Sequence, residues 1–148
     1  MKFVLVIMML LLPACSVHKL QSNTSYLGVT PKEKAVSQAI INDLSLFIAT
    51  LYAPGHTSFN FITPIDEKEI VINDEIVDSF STIFENALRR KGFEISKKGM
   101  GLSYTFDTLE ENNFYTQIRF EDKNNFSSIY NKKGEIISRS SLKEDNYE

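Results

Sequence analysis

Cysteine is nearly missing from this chain, which has one, Cys15. A single cysteine excludes an internal disulfide framework. Two histidines beside it leave almost no material for a zinc site. Tryptophan is absent, and glycine (6) and proline (4) are too sparse to form a low-complexity segment. Positive charge is in slight deficit, 16 Lys and Arg against 19 Asp and Glu, for a net charge of −3. That balance argues against a protein held on nucleic acid by backbone electrostatics. No glycine-rich phosphate loop and no serine-centred nucleophile motif occurs. What remains is 148 residues, 43% hydrophobic and 24% charged, an ordinary globular mixture sized for one domain.

Long apolar runs are also scarce. The one present, Phe3–Leu12, follows Lys2 and has ten residues. A bilayer-spanning helix needs about 20, whereas a signal-peptide core has this shorter length. Leu12-Pro13-Ala14-Cys15 comes next. A plain secretory signal with a chance cysteine is one reading. The tetrapeptide also resembles a bacterial lipobox, with leucine at −3, a small residue at −1, and then the cysteine that is acylated. The resemblance implies cleavage after residue 14, lipid (including palmitate) on Cys15, and no free thiol for nucleophilic chemistry. Several acyl chains would anchor the protein firmly, where one alone is marginal. Ser16 is not the aspartate that commonly retains lipoproteins in the inner membrane. The expected location is therefore the outer membrane, facing the periplasm. Residues 15–29 read as a lipidated tether, residues 30–141 as the folded domain and residues 142–148 as a polar tail.

Within the domain, Thr30, Pro31 and Glu33 have the spacing of a helix start. Val36, Ile40, Leu44, Phe47, Ile48 and Leu51 recur at helical intervals, predicting a helix over 31–52 that Ala53-Pro54-Gly55-His56 breaks. Ser58 to Thr63 alternates as a strand. Ile70-Val71-Ile72 is a short strand or a lead-in to the next helix. Asn73 or Asp74 can cap that second helix. Its stripe runs through Ile76, Phe80, Ile83, Phe84, Ala87 and Leu88, and Gly92 is its C′ residue. The rest reads as strands at 93–96, 102–107, 114–120, 126–130 and 135–139, with turns at Glu110–Asn113, Lys123-Asn124 and Lys132-Lys133-Gly134. The expected fold is α+β, a two-layer sandwich with two helices packed on a mainly antiparallel sheet.

Chemistry-bearing residues are few. His18 lies in the tether and His56 in a Pro-Gly turn. Glu110-Glu111 and Glu121-Asp122 are acidic pairs, but they sit at hairpin tips, where solvated turns account for them. No catalytic set, metal site, cofactor or small-molecule substrate is indicated. Arg89-Arg90-Lys91 with Lys97-Lys98 forms a basic patch. It either meets a partner or complements the helix dipole. Tyr104, Tyr115 and Tyr130 are candidates for an exposed sheet face or edge that docks a partner, with core packing as the default.

Several stretches together resemble one family. Leu51-Tyr52-Ala53-Pro54 is followed by Thr57 and Phe59, then Asp78-Ser79-Phe80, then Leu88-Arg89-Arg90-Lys91-Gly92-Phe93. Leu102-Ser103-Tyr104 and Ser127-Ser128-Ile129-Tyr130 follow. With the lipobox before them, these resemble the conjugal transfer protein TrbH family, small lipoproteins of type IV secretion and mating-pair formation. Ser81 stands where that family often has glycine, Ser128 where arginine is usual, and its Gly-x-Trp ending is absent. The resemblance implies a non-enzymatic component. Its partners would be secretion-channel or pilus-assembly proteins, with the membrane reached through Cys15 and no direct nucleic-acid contact. It supplies no catalytic residues. A generic periplasmic assembly lipoprotein, pilotin-like or barrel-associated, is the alternative.

Overall fold

The computed structural model describes residues 24–64, 70–72, 75–77, 79–110 and 113–143. The expected signal peptide, Cys15, His18, Asn73, Asp74, Glu111 and residues 144–148 lie outside the described residues. In chain order the elements are β1 (Tyr26–Leu27), α1 (Lys34–Leu51), β2 (Ser58–Phe61), β3 (Ile70–Ile72), β4 (Glu75–Val77), α2 (Phe80–Arg90), β5 (Glu94–Ile95), β6 (Met100–Leu109), β7 (Asn113–Phe120), β8 (Asn124–Tyr130) and β9 (Ile136–Lys143). The arrangement is the expected α+β sandwich. Both helices cover one face of a seven-stranded sheet.

The helices form because their apolar positions fall on one side. In α1, Ile40, Ile41, Leu44 and Ile48 are fully buried, and each such side chain contributes about 1.5–3 kcal/mol by leaving water. Phe80, Phe84, Ala87 and Leu88 do the same in α2. The end of α2 follows the sequence closely. Gly92 takes φ +94°, a left-handed conformation open to glycine. The Gly92 amide donates to Arg89 O at 2.9 Å and the Phe93 amide to Leu88 O at 3.2 Å, a Schellman cap. Buried Leu88 and Phe93 complete that cap.

The sheet order is β5-β2-β6-β7-β8-β9. The ladders from β6 to β9 are antiparallel, as hairpins require. β5 and β6 flank β2 and both run parallel to it. Residues 96–99 carry the chain from one side of β2 to the other. A Cβ on Gly99 would stand 2.6 Å from the Ser58 carbonyl oxygen, so only glycine fits that crossing. α2 packs over the β2–β6 half, with Phe84 edge-on to Phe61 and Phe80 against Phe106. α1 packs over the β7–β8 half, with Phe47 edge-on to Phe126 and Tyr52 against Phe120.

Four local expectations are corrected. First, the end of the expected tether is part of the sheet. Tyr26–Leu27 pairs parallel with Thr105–Phe106 of β6, and Ser25 is buried. Second, α1 starts at Lys34, and Thr30-Pro31-Glu33 makes no capping box. Glu33 is the N-cap without a side-chain cap. The Gly28 amide bonds Phe106 O, and the Val29 amide bonds Asp107 Oδ1. Those bonds hold the chain against β6 until just before the helix. Third, α2 starts at Phe80, not near residue 74. Ile76 belongs to β4, which pairs with β3, and Ser79 Oγ caps the helix by accepting from the Thr82 amide. Fourth, β9 runs through residues 142–143, so the polar tail begins later.

Candidate functional site

Two of the three tyrosines named as docking candidates take the default place, in the core. Leu102, Tyr104 and Phe106 share one side of β6, and the helices cover that side. Tyr104 is 1% exposed, with its hydroxyl 2.6 Å from Ser81 Oγ on α2. Tyr130 is fully buried on the same face, and its hydroxyl donates to Asp43 Oδ2 of α1 at 2.7 Å. Each phenol therefore joins a strand to a helix, and neither can dock a partner. Burial, with the Asp43 carboxylate next, pushes the Tyr130 phenol well above its ordinary range. Tyr115 falls on the opposite face and is half-buried.

Among the described residues no helix covers that opposite face, which centres on Arg119, a residue sequence reasoning passed over. Its guanidinium donates to Thr105 Oγ1 at 2.9 Å, Gln117 Oε1 at 3.0 Å and the Thr24 carbonyl at 2.9 Å. Among the described residues, its buried Nε has no partner. Burial lowers the Arg119 pKa. Alternation in 114–120 places an arginine opposite the apolar face, but only the fold brings Thr24 over it.

A second missed cluster ties α1 to the edge strand. Asp43 accepts from Tyr130 and from Arg139 of β9. The Arg139 guanidinium also lies 4.1 Å over the Phe47 ring and donates from Nε to Ser128 Oγ. Ser81 and Ser128, two departures from the family pattern, thus both hold buried hydrogen bonds. The available signal was Asp43 itself, the one carboxylate within α1.

Arg89 and Arg90 close the last turn of α2, both exposed, and face different hollows. Arg89 pairs with Glu85 at 2.8 Å and lines an open cleft of about 450 Å³ with His56, Ser58 and Glu94. Arg90 lines a smaller hollow of about 240 Å³ between the two helices, with Lys34. Two of the segments carrying the resemblance, 51–59 and 88–93, meet at the first cleft. The Gly55 amide donates to Gly92 O at 2.9 Å, and Phe59 lies between Tyr52 and Phe93 at centroid distances of 5.5 and 5.0 Å.

A family model for conjugal transfer protein TrbH matches residues 21–144. The chain belongs to the TrbH family. No curated protein and no solved structure matches it.

The matched span takes in every described element of this TrbH domain, from β1 to β9. Among the described residues, no three His, Cys, Asp or Glu side chains gather as a metal site. His56 sits exposed in its turn. Glu121 and Asp122 are spent on local bonds, Glu121 to the Gly101 amide and Asp122 to the Tyr52 hydroxyl. Among the described residues, no helix is long and apolar enough to cross a membrane. The TrbH domain presents surfaces: a polar sheet face, a β9 edge and two hollows at the helices.

Proposed function

We propose that this TrbH-family chain is an outer-membrane lipoprotein of the conjugal transfer apparatus, acting as a non-catalytic structural or assembly component. Family membership supplies the conjugal transfer setting. The observation carrying the rest is the spacing between lipobox and fold. Ser25 is buried in the sheet ten residues after Cys15. Nine steps from Cys15 to Thr24 reach at most about 30 Å, so acylation of Cys15 holds the domain close to the bilayer. Its job is then positional: lipid fixes one end, and the exposed surfaces engage secretion-channel or pilus-assembly proteins. A core of interlocked aromatic side chains with few titratable groups suits such a role.

Membrane fractionation with mass spectrometry of the mature N-terminus tests this. The expected result is an acylated Cys15 at the N-terminus in the outer-membrane fraction, with Cys15→Ser released or mislocalised. An unmodified Cys15, or unchanged fractionation of Cys15→Ser, overturns the anchor.

A further inference from the structure

The chain is acidic overall, yet among the described residues no carboxylate lines the hollow between α1 and α2. Lys34 and Arg90 line it, Gln38, Asn42 and Asn86 supply primary amides, and half-buried Ile83 contributes apolar surface. Among the described residues, neither Lys34 nor Arg90 has an ion-pair partner. Three carboxylates adjoin the hollow in sequence; exposed Glu33, next to Lys34, does not line it, and the other two are engaged elsewhere. Asp43, next to Asn42, is taken by Arg139 and Tyr130. Glu85, next to Asn86, is taken by Arg89 at 2.8 Å. The fold thus withdraws Asp43 and Glu85 from this spot and leaves two cations and three exposed amide donors lining it. A carboxylate accepts from both kinds of donor, and a charged acceptor makes the stronger hydrogen bond.

We infer that this hollow docks an acidic segment of a partner protein, with carboxylates against Lys34 and Arg90 and apolar side chains on Ile83. The inference names the chemistry of a partner for the assembly role proposed above. It does not depend on the lipid, so failure of either can be told apart.

The test uses the full chain in detergent micelles and a short fluorescein-labelled Glu/Leu peptide. Saturable binding should move the side-chain amide signals of Gln38, Asn42 and Asn86. Arg90→Glu and, independently, Lys34→Glu should weaken it roughly tenfold or more while the thermal melt is kept. Lys98→Glu, the same charge change on a turn outside the hollow, should leave binding intact, as should Cys15→Ser. The inference is overturned by no binding, by equal binding of a Lys/Leu peptide, or by an equal loss in Lys98→Glu. Displacement by inorganic phosphate would mean a simple anion site. Preference for phosphatidylglycerol vesicles would assign the hollow to lipid headgroups. Either result rejects a protein partner.

Discussion

Ser25 Oγ accepts the Tyr104 backbone amide at 2.9 Å and donates to the Ile62 carbonyl. One hydroxyl thereby closes the gap where two strands share a single edge of β6. Below it β2 pairs with Met100–Leu102, and above it β1 pairs with Thr105–Phe106. Ser25→Ala removes both bonds of this hydroxyl, which costs about 1–3 kcal/mol. Urea denaturation of the two proteins side by side measures this. A midpoint unchanged within error would show that the junction is not held by this bond.

Gly99 and Gly101 make a contrasting pair, two residues apart. A methyl at Gly99 meets Ser58 and Phe59 backbone at 2.6 Å, whereas at Gly101 the nearest atom is 3.5 Å away. Gly99→Ala should lose about 1–3 kcal/mol through forced backbone movement. Gly101→Ala should change stability by less than about 0.5 kcal/mol. Equal melts for the two variants would contradict the crossing of β2 described above.

How much of this was legible in the sequence depends on range. The end of α2 was readable because Leu88 to Phe93 carries its own cap chemistry in six residues. Its start was not. Ile76 has helical spacing with Phe80, and only pairing with β3 makes it a strand. Tyr26-Leu27 looked like tether because its partner lies near residue 105. The burial of Tyr104 could have been read from its place between Leu102 and Phe106 on one face. Neither hollow was visible, since each forms where segments distant in the chain come together.

Tyr130 gives stability an alkaline limb. Its phenol is raised above the ordinary value near 10, so the folded state holds the proton more tightly than the unfolded chain. The sign follows from that difference: the contribution is complete below about pH 10 and is lost as pH rises above it. Tyr130→Phe should flatten that decline. It should also cost about 1.5–3 kcal/mol near neutrality through the lost bond to the Asp43 carboxylate. Denaturation midpoints across pH 7 to 11 read both effects, and an equally steep limb in the variant would exclude Tyr130 as its source.

The Arg89–Glu85 pair is an exposed i,i+4 contact. Arg89→Ala should shift stability by no more than about 0.5 kcal/mol. If transfer falls while the melt stays normal, the cleft beside Arg89 is a partner surface. A normal transfer frequency confines Arg89 to the helix end.

The lipid-anchored assembly role is tested most directly by conjugation frequency. Donor cells lacking the protein would carry either the native chain or Cys15→Ser, with the folded domain checked in both. Restored transfer with the native chain and loss with Cys15→Ser is the expected result. Full restoration by Cys15→Ser would contradict the anchored role and place the protein's work away from the membrane.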